Sequence, residues 1–187
     1  LKKKDPALFK KVKLLKGSKF YAATKSKSGY PSLVYVDQEG KKKQIDSNYD
    51  PVGEAIRNLA RFNISGSINF IVLGLGLGCQ VSEIIKINSK HAKIFIFEKD
   101  PELFALASRE ADFPQIFKHP GVKLFVDKDL RDVSHLLEPE RTNFTLNEYC
   151  LISQKSLVEK NLEYYRVLYK EIEKYFNESR INLKTQS

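Results

Sequence analysis

The rhythm of apolar and polar positions changes twice along the chain. Leu8, Val12 and Leu15 recur on one helical face behind Asp5-Pro6, and Gly17 stands beyond them as a stop. Aspartate as N-cap and proline at the first helical position are start signals, because the carboxylate accepts an otherwise unpaired helix N–H and proline lacks the N–H that would go unpaired. Residues 19–46 then lose the helical period. "KFYAAT", "SLVYVD" and "KKKQID" alternate or cluster aromatic and β-branched residues, and "QEGK" between the last two is a turn signal. They predict a small antiparallel meander. Asp50-Pro51 opens a second helix, in which Val52, Ala55, Ile56, Leu59 and Ala60 keep helical spacing.

From residue 68 the pattern becomes strand, helix, strand, helix, strand. "INFIVL" is a continuous apolar run, as in a strand covered on both faces. "CQVSEIIKIN" reads as a helix, "AKIFIFE" as a strand ending in Glu98, and "DPELFALASREADF" as a helix capped by Asp100. "GVKLFVD" is a third strand, ending in Asp127, and "DLRDVSHLL" a short helix. Such alternation predicts a parallel sheet with right-handed crossovers. "PERTNFTLNEYCLI" is the one candidate for a fourth strand, and it carries no acidic or Pro-Pro-Tyr-like end. Residues 154–180 predict one long charged helix, with Leu157, Leu162, Tyr165, Leu168, Ile172 and Tyr175 on its apolar face. The fold expected is therefore α/β: a Rossmann-like parallel sheet with flanking helices, preceded by a small antiparallel β-meander and followed by a long C-terminal helix. Residues 1–50 form the basic helix and meander in this division, 51–150 the Rossmann-like domain, and 151–187 the helix leading onward.

Composition narrows the setting. The 187 residues are 42% hydrophobic and 29% charged, enough for a core. No apolar run approaches the roughly 18–20 residues of a membrane span. Cys79 and Cys150 match neither a metal spacing nor a disulfide framework, so a reducing cytoplasm is the simplest setting. The chain has no methionine and reads as a piece of a longer protein. Its net charge of +9 is uneven: residues 1–43 hold thirteen lysines against Asp5, Asp37 and Glu39, while the other 144 residues hold 19 basic and 20 acidic groups. A solvated face is the simpler reading of that charge. The segment has no arginine and no interleaved aromatic platform, so nucleic acid is not the expected partner.

The chemistry concentrates in "IVLGLGLGCQVSEIIK". Gly74, Gly76 and Gly78 permit positive φ and close backbone approach where a strand turns into a helix. The first helical turn would offer free N–H groups and the positive end of a dipole. Cys79 stands where the dinucleotide fingerprint GxGxxG has its last glycine. The spacing is GxGxG instead, which resembles class I S-adenosylmethionine-dependent methyltransferases. By that resemblance Glu98 would accept hydrogen bonds from ribose hydroxyls and Asp127 would stand near adenine. Three departures count against transfer chemistry. Val72 replaces the usual acid two residues before the first glycine, Leu75 and Leu77 are bulky, and the fourth-strand motif is missing. Glycines serving only tight strand–helix packing are the competing reading. His91, His119 and His135 share no ligand spacing and read as surface or loop residues. Cys79 lies near a helix N-terminus, a position that lowers a thiol pKa, but no histidine lies nearby in sequence to make it a nucleophile.

The order of parts is similar to the N-terminal region of the motility accessory factor (Maf) proteins of bacteria. "LKKKDPALFKKVK", "DSNYDPVGEAIRNLARF", "FIVLGLGLGCQVSEIIK", "IFIFEKDPELFALA" and the closing "ESRINLKTQS" carry the resemblance across nearly the whole chain. Members of that family are implicated in transferring nonulosonic sugars, such as pseudaminic acid, from nucleotide-activated donors to flagellin. Their transfer chemistry is placed in a central, sialyltransferase-like domain. The resemblance thus implies a flanking, non-catalytic Rossmann-like domain whose partners are the rest of a larger polypeptide and a flagellin-like acceptor. The ligand candidates for the glycine loop are a sugar nucleotide or S-adenosylmethionine.

Overall fold

The computed structural model describes residues 5–15, 17–88, 91–111 and 113–186, with side chains described up to residue 179. Lys2, Lys3, Lys4 and Lys16 of the basic opening lie outside the described residues. Helix α1 (Pro6–Leu14) starts as its sequence predicts, the Asp5 carboxylate accepting the Leu8 N–H at 2.9 Å, and it stops before Gly17. Strands β1 (Tyr21–Lys25), β2 (Pro31–Val36) and β3 (Lys42–Gln44) pair antiparallel in chain order, the expected meander. Asp50 caps α2 (Pro51–Leu59), which buries Pro51, Ala55 and Leu59. Ile56 is 51% exposed, so the apolar stripe of α2 is narrower than its spacing suggests.

The main sheet has four parallel strands in the order β6-β5-β4-β7: β4 (Asn69–Leu73), β5 (Lys93–Glu98), β6 (Val122–Val126) and β7 (Tyr149–Ser153). Every residue of β4 is buried, as its unbroken apolar run requires for a central strand covered on both faces. The fourth strand comes from the last residues of "PERTNFTLNEYCLI". Most of that stretch is instead a 3₁₀ turn followed by α7 (Arg141–Leu146). Sequence reading misses this split because the stretch has neither clean alternation nor a strong breaker between its halves.

Alternate residues of β4 and β5 feed two cores, because successive strand side chains point to opposite faces. Phe70, Val72, Ile94 and Ile96 join one core with α3 (Cys79–Asn88), α4 (Pro101–Glu110) and α5 (Phe113–Lys118). Leu8, Tyr21, Leu33 and Ile45 belong to this same core, so the meander and first helix share it with the sheet. Ile71, Leu73, Phe95 and Phe97 form the second core with α6 (Val133–Leu137), α7 and α9 (Leu162–Gln186). The predicted long helix is interrupted. A short α8 (Lys155–Lys160) ends at Asn161, whose amide nitrogen donates to the Leu157 carbonyl oxygen at 3.3 Å, and the chain restarts as α9. An asparagine side chain that bonds nearby backbone competes with helix propagation. No helix among the described residues is long and apolar enough to cross a membrane.

Candidate functional site

Strand order reverses at β4: β5 and β6 lie on one side and β7 on the other. In open α/β sheets the crevice outside the carboxyl ends of two such diverging strands is the usual ligand position. The glycine loop lies at that edge, between Leu73 of β4 and Cys79 of α3. Gly74, Gly76 and Gly78 have φ of 81°, 54° and 77°, so each sits where side chains are disfavoured. The loop is braced on both sides: the Gly74 N–H donates to the Phe97 carbonyl at 2.8 Å and the Gly78 N–H to that of Leu75 at 2.9 Å.

Glu98 ends β5 beneath this loop and is 1% exposed. Its Oε2 accepts the Leu75 N–H at 2.9 Å and its Oε1 the Asp100 N–H at 3.0 Å. The nearby Gly76 N–H also favours the charged form of the carboxylate. Burial pushes the carboxyl up to about 7 despite these donors. The acid expected to meet a ribose thus spends its lone pairs on the loop. Leu75 and Leu77 turn inward and are buried in the first core.

Protein covers the glycines from outside. A side chain added at Gly74 would meet Leu157 of α8 at 3.2 Å, and one at Gly78 would meet Ile116 of α5 at 2.6 Å. Over β5, the Lys160 ammonium lies 4.8 Å and 4.6 Å from the ring centres of Tyr21 and Tyr35, and 3.9 Å from an Asp100 carboxylate oxygen. Asp100 also caps α4 through the Glu102 N–H at 2.9 Å, as its place before Pro101 predicts. Asp127 stands at the rim with φ of 50° and bonds Lys99 at 2.6 Å and Lys11 at 3.1 Å. Burial works to raise its pKa, but these two lysines outweigh it, and the carboxyl falls below the ordinary range. Its backbone N–H donates to the Glu98 carbonyl at 2.9 Å, so the structure does bring the two predicted acids together at one edge.

Of the remaining candidates, Cys79 is placed differently from its sequence reading. Burial, with Asp46 and Glu83 adding to it, pushes the Cys79 thiol up to about 12, opposite to the helix-terminus expectation. His119 lies in the loop between α5 and β6, as read, but is buried there, and its Nδ1 accepts the Gly121 N–H at 3.2 Å. His91 and His135 are exposed as expected. No group of three or more His, Cys, Asp or Glu side chains gathers among the described residues in a way that could hold a metal ion.

One cluster has no sequence signal. Asp46, after β3, lies within reach of Gln154, after β7, whose amide donates to its Oδ1 at 2.5 Å. Glu54 of α2 and Gln80 of α3 complete the walls of a small cavity beneath Leu75 and Leu77. Burial first, then the charge of Glu54, raises the Asp46 carboxyl to about 7. Residues 46 and 154 stand too far apart in the chain for spacing to link them. Helical period would only have placed Glu54 and Gln80 near the starts of their helices.

No family model matches the chain. No curated protein matches it either.

Proposed function

We propose that this chain serves as a non-catalytic Rossmann-like domain of a Maf-like glycosyltransferase, packing beside the domain that transfers a nonulosonic sugar to a flagellin-like acceptor in the cytoplasm. The family assignment rests on the resemblance of its motifs. One observation carries the non-catalytic part: the Glu98 carboxylate is buried and engaged by the N–H groups of Leu75 and Asp100, with Leu157 seated on the glycines. A nucleoside at this edge would have to displace α8 and compete for an acid that already has its donors. Breaking those bonds would leave buried N–H groups unpaired, at roughly 1–3 kcal/mol each.

Calorimetry tests this reading. S-adenosylmethionine, S-adenosylhomocysteine and a nucleotide-activated sugar are each titrated into the chain, and no binding heat is expected from any of them. Heat with S-adenosylmethionine that Glu98→Ala abolishes would replace the proposal with a methyltransferase-like one. The transferase assignment has its own check, a sialyltransferase-like domain encoded downstream in the same reading frame. A frame that closes without one removes it.

A further inference from the structure

We infer that the outer edge of β7, with the α9 face beside it, is the surface on which a second copy of this chain docks, β7 pairing antiparallel with its copy across a two-fold axis. The inference goes beyond the domain's proposed role and does not depend on it. β7 ends the strand order, and no strand among the described residues pairs with its outer side. A row of backbone N–H and C=O groups therefore faces outward there. Sheets guard such edges with charge, lysine above all. β6, the opposite edge, is guarded in this way: it carries Lys123, whose ammonium bonds Glu140 at 3.0 Å, and Lys128 follows it. The residues of β7, "YCLIS", carry no charge.

The ground beside this edge is apolar and open. A groove of about 450 Å³ runs between β7 and α9, with Leu151, Ser153, Val158, Leu162 and Tyr169 among its walls. Leu162 is 53% exposed and Tyr169 41%. Large apolar side chains gathered beside an unpaired strand mark an interface rather than a solvated face. The α9 stripe along that groove selects the occupant. Arg166, Tyr169, Lys170 and Glu173 all line it. Arg166 and Glu173 stand about two helical turns apart on one side of the helix. Laid antiparallel on a copy of itself, with the two-fold between Tyr169 and Lys170, the stripe is self-complementary. Arg166 then meets Glu173 of the partner subunit, and Glu173 meets the partner subunit's Arg166. Tyr169 meets Lys170 of the partner subunit, a ring beneath an ammonium. Antiparallel pairing of β7 uses that same axis, normal to the sheet, and sets both α9 helices antiparallel on one face. The present neighbour of Arg166 does not compete. Glu163 lies 3.8 Å away and both side chains are well exposed, an arrangement that contributes little.

Analytical ultracentrifugation of the chain over a concentration series tests this. A monomer–dimer equilibrium is expected, with a dissociation constant of roughly micromolar order. Amide exchange at alternate residues of β7 should slow as the dimer forms. Arg166→Glu sets an acid against Glu173 of the partner subunit and should weaken the dimer about tenfold or more. Glu173→Arg should do the same from the other side. Both positions are on the surface, so circular dichroism should show each variant folded. The double variant rebuilds each pair with its charges reversed and should recover the dimer. A chain that stays monomeric well above that concentration range leaves the face to another polypeptide and overturns the inference. So does a dimer that neither single variant weakens, a loss that the double variant does not recover, or β7 exchange that ignores concentration.

Discussion

Glu98 shows how one side chain can look the same in sequence and act differently in the fold. An acid at the end of the second strand is legible from "AKIFIFE" alone. Its partners are not, because Leu75 lies 23 residues earlier and meets Glu98 only when β4 and β5 pair. The consequence is measurable. Glu98→Gln offers one oxygen and one NH₂ group where the loop needs two acceptors, so a buried N–H would face another donor. We expect a loss of about 1–3 kcal/mol in urea unfolding. Unchanged stability would show that the carboxylate is not what holds the loop.

At the scale of elements, the glycine loop is shaped by its neighbours as much as by its own residues. Periodicity predicts a helix near residue 157, and Leu157 does face inward. It does not predict that the helix breaks at Asn161, because the break depends on a side-chain bond to backbone that competes with a regular turn. The break leaves α8 as a separate short piece lying over Gly74 and Gly76. Leu157 is fully buried there, and truncating it leaves a cavity over backbone that cannot collapse into it. Leu157→Ala should therefore cost about 2–5 kcal/mol by chemical denaturation. A cost under about 1 kcal/mol would mean that α8 only rests on the loop. The same comparison explains the fourth strand: β7 pairs with β4 over five residues, yet its sequence lies at the tail of a stretch that is mostly helical.

Across the whole molecule, the first helix, the meander and the parallel sheet share one hydrophobic core. Thermal unfolding should accordingly be a single transition, and calorimetric and spectroscopic midpoints should coincide. Its pH dependence follows from two carboxyls at the carboxyl edge. Burial raises Asp46 from 3.8 and Glu98 from 4.5, each to about 7. Between those limits the folded chain binds more protons than the unfolded one, so this contribution is full at low pH and is lost as pH rises through about 7. Asp127 acts in the opposite sense: its lowered carboxyl stabilises the fold above the ordinary range and ceases to do so in acid. The melting temperature should fall between about pH 5 and pH 8, and Asp46→Asn or Glu98→Gln should flatten that fall. A midpoint that rises over the same interval would contradict the assignment.

The amino-acid sequence by itself determined what depends on neighbours along the chain. The aspartate–proline helix starts, the meander, the apolar strands and the positive-φ glycines at 74, 76 and 78 are all local, set by period, capping and the sterics of one residue. Tertiary structure decided what depends on residues distant in the chain. It folds α8 over the glycines, gives Glu98 to the loop it supports, raises the Cys79 thiol through partial burial, and joins Asp46 to Gln154 across 108 positions. Hydrogen bonds and burial of that kind carry no periodicity, because strand order rather than spacing brings the groups together.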